Sequence, residues 1–466
     1  MSVKNLKKEL EKVVTENTIK VLYLCSEAAK KLSLRIFLIG GAVRDIITGK
    51  NNFDTDITVQ GNAIEFARFL EQNYPDICKI KEIHENFGTT KVIFYINEKI
   101  ATSHLQDAPH NDENLIILDI ASTRKESYPY PGSLPKVDEI GCDLYDDVNR
   151  RDFSINSMAI SLNKENFGDL TDYLGGYDDI KQKKIRILHE KSFIDDPTRI
   201  IRALKFRVRF SYDLDETTKQ LQENCLDSGM FDNFCGERIK SELKQTFNLV
   251  RSGSVSRSGC DEQAMQAELI LNKAEIMEIF IRENIYRLVD KDINNNWIAS
   301  SQAPRNDKPI QNIVSEYLSF INYDFFWLIY LGVMLSDFSN EKINQIAQKL
   351  YLSSMETEVL TGAKDLLNKT NCGQANFEIY EFFEKFMPES ILICLIKKPE
   401  LKEKADLYFK KLKDIKIYTT GETLINLGVK PSPVFGEILR KLLKARINGE
   451  FFSEEEEKEF IKKILR

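Results

Sequence analysis

Asp54 and Asp56 stand two residues apart in a stretch where polar and apolar residues alternate. On a strand, that spacing turns both carboxylates to one face. Paired carboxylates on one face suit Mg²⁺, because hard cations take oxygen ligands. Two such ions about 3.5–4 Å apart clamp the attacking and leaving oxygens of a phosphoryl transfer. Just upstream, LIGGAVRD (residues 38–45) runs an apolar segment into Gly40-Gly41 and then Arg44. Glycines let the backbone approach a ligand, and free N–H groups at a helix start favour phosphate. Arg44 can clamp a phosphate with two hydrogen bonds. A DxD pair alone is common. A glycine turn, an arginine and a DxD within the 17 residues 40–56 form a far more specific pattern. No GxGxxG is present, so a dinucleotide-binding reading fails. Asp119, at the end of the apolar run LIILDIASTR, is a candidate third carboxylate, able to ligate a metal and help deprotonate an attacking hydroxyl. Taken alone, Asp119 fits an ordinary strand-end aspartate better.

These residues need a scaffold. Residues 4–31 place Leu6, Leu10, Val13, Val14, Ile19, Leu22 and Leu24 among many charges, which predicts an amphipathic helix. Strands are expected at 35–39, 53–59, 90–95 and 115–120, and helices at 42–47 and 62–72. The first 160 residues therefore read as an α/β unit. After Asp178 long helical patterns dominate, punctuated by two polar loops at 251–261 and 300–309. The apolar stretch 320–335 is interrupted by Asn322 and Asp324 and predicts a buried helix, since a membrane span needs about 20 apolar residues.

The 466 residues suffice for about two to four domains. A net charge of −7 does not mark a nucleic-acid binder, although a local basic face can serve. Residues 179–210 hold ten Lys or Arg against four Asp or Glu, and residues 401–466 hold fifteen against eleven. Both are candidate phosphate-binding faces, and both compositions also describe a solvated helix surface. The eight cysteines are scattered without a CxxC pair, and there are four histidines. That pattern excludes a zinc cluster and a disulfide framework, and fits a reducing cytoplasm. The N-terminus, MSVKNLKKELEK, is no signal peptide.

The segment IGGAVRD…DTD resembles motif A of the class II tRNA nucleotidyltransferases (CCA-adding enzymes) and bacterial poly(A) polymerases. Four more blocks follow in that family's order. Residues 149–160 (NRRDFSINSMAI) resemble motif B, 174–180 (LGGYDDI) motif C, 195–206 (DDPTRIIRALKF) motif D and 237–243 (ERIKSEL) motif E. Residues 421–436 (GETLINLGVKPSPVFG) resemble a segment near the family's C-terminus, with Ser432 where glycine is usual.

The resemblance implies an α/β nucleotidyltransferase head, a small mixed sheet with helices, followed by an all-α neck, body and tail. The expected bounds are 1–178, 179–250, 251–400 and 401–466. It implies addition of C, A or both to the 3′ end of tRNA from CTP and ATP, with Mg²⁺ as cofactor. Asp54 and Asp56 would hold the metal, with Asp119 as the third carboxylate. Gly40, Gly41, Arg44, Arg151, Asp152, Asp196, Arg199, Arg202 and Lys205 would bind nucleotide. Within motif D, Asp196 accepts hydrogen bonds and Arg199 donates them, so together they can read a base edge as another base would. In the family these positions select ATP and CTP over GTP and UTP. Arg202 is a second nucleotide contact, and Lys205 stands where arginine is common, keeping the charge but not the planar fork. Motif C is the family's hinge, and motif E, with Glu237, Arg238 and Glu242, is expected to brace motif D. No histidine cluster suggests a phosphohydrolase domain, and the polar stretch 98–114 has no assigned role. Alternatives are an enzyme restricted to CC or to A, a poly(A) polymerase, and a non-catalytic RNA-binding module. After motif B the poly(A) polymerases tend to carry alanine–leucine–tyrosine–tyrosine where this chain has Ser157-Met158-Ala159-Ile160, which favours the tRNA enzyme.

Overall fold

The computed structural model describes residues 4–50, 55–95, 115–229, 236–248, 273, 275–293, 308–430 and 432–465. Asp54, the stretch 98–114 and the loop 251–261 lie outside them. The chain divides into two compact units, residues 1–288 and 289–466.

The first unit is built on a seven-stranded sheet of order β3-β4-β5-β2-β1-β8-β9. Its strands are β1 (Arg35–Ile39), β2 (Thr55–Gln60), β3 (Cys78–His84), β4 (Thr89–Tyr95), β5 (Leu115–Ser122), β8 (Ala159–Ser161) and β9 (Leu170–Thr171). The sheet is mixed, because β2 and β5 pair in parallel while its other neighbours are antiparallel. β1 has four of its five residues buried, as a near-continuous apolar run requires of a central strand. On β5 burial alternates. Leu118 and Ile120 are covered, whereas Ile117 and Asp119 face outward. Helix α4 (Ala63–Asn73) packs on β3, β4 and β5 through Ile64, Phe66, Ala67 and Leu70. Its N-cap Asn62 accepts from the backbone N–H of Ile64 and Glu65.

The single helix expected over 4–31 is two, α1 (Lys7–Val13) and α2 (Glu16–Lys31). Val14 is extended, and Thr15 caps the second helix by accepting from Thr18 N–H at 3.1 Å. The apolar spacing runs smoothly through this capping threonine, which is why periodicity alone misses the break. A hairpin of β6 (Arg124–Ser127) and β7 (Lys136–Ile140) was not expected either, since both strands are short and largely exposed.

Helices finish the first unit: α3 (Gly41–Ile47), α5 (Leu144–Asn149), α6 (Gly176–Gln182), α7 (Ser192–Asp195), α8 (Thr198–Phe210), α9 (Glu216–Ser228) and α10 (Gly236–Phe247). Pro197 sits at the N-cap of α8, and α10 packs along α8. Gly176, in motif C, lies so near Ser154 that a Cβ there would be 2.1 Å from the Ser154 carbonyl oxygen. Asp179 accepts from the Ser154 hydroxyl and pairs with Arg186 at 2.7 Å. Motif C is thus packed closely on motif B.

The second unit is helical. Its centre is the helix Phe326–Leu335, all ten residues buried, flanked by Ser354–Asn368 and Pro388–Lys397. This is the buried helix expected from 320–335. The loop expected to reach residue 309 ends earlier, because the helix Lys308–Tyr317 carries Pro309 in its first turn, where the missing N–H costs nothing. A C-terminal cluster of Leu424, Ile438, Leu442, Ala445, Phe451 and Ile461 joins the helices Gly421–Asn426, Val434–Ile447 and Glu454–Ile464. Among the described residues no helix is long and apolar enough to cross a membrane.

Candidate active site

A cleft of about 550 Å³ in the first unit gathers Gly40, Gly41, Arg44 and Asp56 with Arg151, Asp152, Asp196, Arg199 and Arg202. The sequence separates these residues by up to about 160 positions, and the fold brings them to one space.

The metal end is built by strand register. Asp56 on β2 lies directly opposite Asp119 on β5, so neighbouring parallel strands turn both carboxylates to one face. Asp119 is half exposed, and Lys91 on β4 stands 3.6 Å from it. This pairing puts the sequence's candidate third carboxylate beside one member of the DxD, while Asp54 lies outside the described residues. The described residues contain no group of three or more metal-ligating side chains. The donors present are hard carboxylate oxygens on adjacent strands, and they fit Mg²⁺.

The phosphate end begins at Gly40. Its φ of +73° is a conformation that favours glycine, and a Cβ there would sit 3.0 Å from an Arg151 guanidinium nitrogen. Arg151 is therefore drawn close over the Gly40 turn. Arg151 also donates to Asp147 at 3.0 Å. Asp147 is fully buried. Burial opposes its charge, but Arg151 and Arg150 outweigh that and lower its carboxyl below the ordinary range.

Arg44 borders the same end of the cleft. Its guanidinium is buried, donates to Asp45 at 2.9 Å and to the Asn156 side chain, and lies over the rings of Phe206 and Phe210. It borders the cleft with three of its five N–H donors turned to the protein or nearly so. Asn156, which Arg44 holds, in turn donates to Asp152 at 3.0 Å.

Asp152 is the electrostatic centre. One oxygen accepts from Asn156 and from Phe153 N–H, and the other accepts from Arg202 at 3.0 and 2.5 Å. Burial pushes its carboxyl up, yet Arg202 and Asn156 reverse this and hold it down at about 2. Arg202 also donates to Glu242 at 3.1 Å, and Asp152, first among its partners, raises its affinity for its proton. Lys205 donates to Glu242 and Gln245, both at 2.9 Å. Burial lowers the Lys205 ammonium, partly offset by Glu242. The motif D charges are thus not an exposed stripe. They sit inside, paired to α10 and to motif B. The same pairing consumes much of the positive excess expected on 179–210, since Arg207 is also buried against Glu283 at 2.7 Å.

Asp196 lies at the turn between α7 and α8. It accepts from Thr198 N–H at 3.2 Å, from the Thr198 hydroxyl at 2.6 Å and from Arg238 of motif E. Arg199 donates to the Ser192 hydroxyl at 2.6 Å, the Arg150 carbonyl at 2.9 Å and the Tyr128 hydroxyl at 3.2 Å. Motif E braces motif D, as expected, and also borders the cleft through Arg238 and Glu242. Tyr128, Arg124 and Glu126, from the hairpin, line the cleft too. Sequence reasoning missed them for want of any motif; the available signal was a short charged run, RKE, beginning two residues after β5 ends.

Residues 36–186 match the family described as the poly A polymerase head domain. The A-adding tRNA nucleotidyltransferase of Aquifex aeolicus is 31% identical over 430 residues, covering 89% of this chain and 45% of that protein. The A-adding tRNA nucleotidyltransferase of Halalkalibacterium halodurans is 28% identical over 443 residues, covering 93% of this chain and 90% of that protein. The chain spans about half the length of the first curated relatives it matches. A solved apo structure of a CCA-adding enzyme superposes with a TM-score of 0.74 at 24% identity, covering all of both chains, which shows a shared fold.

Proposed function

We propose that this protein, whose residues 36–186 match the poly A polymerase head domain, is a template-independent nucleotidyltransferase acting on the 3′ end of tRNA. The observation that carries the reading is the shared cleft: Asp56, register-paired with Asp119 on the neighbouring strand, opens into the same space as Asp196 and Arg199. Relatives that match most of the chain at 28–31% identity are named A-adding, whereas the CC-adding relative matches 37% of it. Addition of the terminal A is therefore the favoured specificity, with C addition as the alternative.

In this reading the triphosphate lies over the Gly40 turn beside Arg151. Asp152 and Arg202 hold the sugar end of the pocket, and Asp196 with Arg199 face the base. The terminal 3′-hydroxyl of the RNA attacks the α-phosphorus, the bond to the β-phosphate oxygen breaks, and pyrophosphate leaves. Asp119, paired in register with Asp56, takes the hydroxyl proton. Asp54, Asp56 and Asp119 would hold Mg²⁺, which when bound stabilises charge on the transferring phosphoryl group. Arg44 acts behind this layer, fixing Asn156 and through it Asp152. We further propose a head over 1–178, a neck over 179–250, a body over 251–400 and a tRNA-binding tail over 401–466. The six described cysteines are buried free thiols, which suits a reducing compartment such as the cytoplasm.

The test uses tRNAs ending before CCA, after C and after CC, each with Mg²⁺ and one labelled nucleotide at a time. Incorporation of A onto the CC-ended tRNA supports the reading. Incorporation of neither C nor A onto any of the three overturns it.

A further inference from the structure

Adenine and cytosine look alike to a carboxylate. Each offers an exocyclic amino group that Asp196 can accept from, and guanine and uracil offer a carbonyl oxygen there instead. The two bases differ beside that amino group. Adenine presents one ring acceptor, N1, flanked by a carbon. Cytosine presents two adjacent acceptors, N3 and O2. An arginine that extends a two-pronged fork satisfies cytosine, and one that extends a single N–H satisfies adenine.

Arg199 has five N–H donors. Three are engaged by protein acceptors: one Nη1–H by Ser192, and both Nη2–H groups by the Arg150 carbonyl and the Tyr128 hydroxyl. The Nε is 4.0 Å from Asp196, beyond hydrogen-bond reach. The whole Nη2 edge is therefore withheld from a base. Of its two acceptors, the Arg150 carbonyl is backbone and the closer at 2.9 Å, while Tyr128 is the one a side-chain change can remove.

Tyr128 is held where it can do this. It follows β6 directly, and the loop beyond it docks on motif D, with Gly132 N–H shared between the carbonyls of Ile194 and Asp195 at 3.2 Å each. Those carbonyls immediately precede Asp196. The Arg199 guanidinium lies 5.9 Å from the Tyr128 ring centroid, so ring and hydroxyl both fix its orientation. Burial raises the Tyr128 hydroxyl above its ordinary range, so at neutral pH it keeps its proton and accepts from Arg199 through its oxygen.

We propose that Tyr128 is a positioning residue that restricts Arg199 to a single-donor pose and so biases the cleft toward ATP over CTP. This rests on the reading of Asp196 and Arg199 as the base-facing pair. Loss of the hydroxyl frees one Nη2–H, lets the fork open, and admits cytosine.

The experiment is Tyr128→Phe, which keeps the ring and removes only the acceptor. The kcat/KM for ATP and for CTP is measured separately, with Mg²⁺ and CC-ended tRNA, and ATP and CTP binding is titrated without tRNA. The CTP-to-ATP ratio of kcat/KM is expected to rise about tenfold, the discrimination one hydrogen bond commonly carries. A Tyr128→Phe ratio that is unchanged or falls overturns the proposal. So does an equal loss for both nucleotides, which is what a merely structural tyrosine would give. If the unmutated protein adds neither nucleotide, the functional reading itself has failed, and that result is distinct from an unchanged ratio in an active enzyme.

Discussion

The Gly40–Asp56 corner and the Asp152–Arg202–Glu242 cluster border the same cleft but are made in opposite ways. The corner is local. A glycine turn, a short helix and a second strand bring its groups together within 17 residues, with Gly41 and Asp56 partly exposed and Arg44 buried beneath them. The cluster is assembled from three distant segments: Asp152 after α5, Arg202 on α8 and Glu242 on α10, with hydrogen bonds spanning 40 to 50 residues. Its charges are largely buried. The corner can therefore be altered with small effects on folding and large effects on chemistry, while the cluster couples chemistry to stability.

Breaking the corner has the largest expected effect. Asp56→Ala removes a carboxylate from the register pair and is expected to lower nucleotide addition by at least about 10³-fold, with tRNA affinity within a few-fold of the parent. Single-turnover rates and a tRNA titration check this. A comparable loss of tRNA binding would place Asp56 in a binding role and dissolve the contrast.

The cluster is sharpened by pH. The Asp152 carboxyl sits at about 2 in the folded protein, below its ordinary 3.8. Its contribution to stability is thus fully present above pH about 4 and is lost as pH falls toward 2. At about 1.4 kcal/mol per unit, that contribution is about 2 kcal/mol. Asp152→Asn is expected to be less stable than the parent at pH 6 by about this amount. The gap should close as pH falls from 4 toward 2, which urea midpoints measured across that range will show. A gap independent of pH would mean that Asp152 is not held charged by Arg202.

The smallest effect expected is from Gly40→Ala. A side chain there meets Arg151 and adopts a left-handed φ, costing about 1–2 kcal/mol of stability. Thermal denaturation checks the cost, and no change in midpoint would mean that the turn relaxes freely.

The same contrast governs what the sequence made legible. β1 and α4 were evident because each buries an apolar pattern of its own period, and the DxD was evident because strand period aims both side chains at once. The pairing of Asp56 with Asp119 depends on register between strands that lie about 60 residues apart in the chain, which no local pattern encodes. Motif D was visible as a row of charges, but charges at helical spacing look the same on a wet surface and inside an ion-pair network. Only the packing of α10 on α8 decides between them. Arg44 was expected as a phosphate clamp from its type and place. It borders the cleft, and its burial against Asp45, Asn156 and Phe210 also ties it through Asn156 to Asp152. The β6–β7 hairpin was not anticipated, since its short exposed strands lack an apolar face, and with it went Tyr128.

The central claim is that one cleft joins a transfer site to a separate base-reading pair. The most direct test is single-turnover incorporation from each of the four nucleotides onto CC-ended tRNA, by the parent, Asp56→Ala and Arg199→Ala side by side. Asp56→Ala is expected to depress all accepted nucleotides by the same factor, and Arg199→Ala to compress the differences among the four. Unchanged discrimination in Arg199→Ala, with a loss as uniform as that of Asp56→Ala, would contradict it.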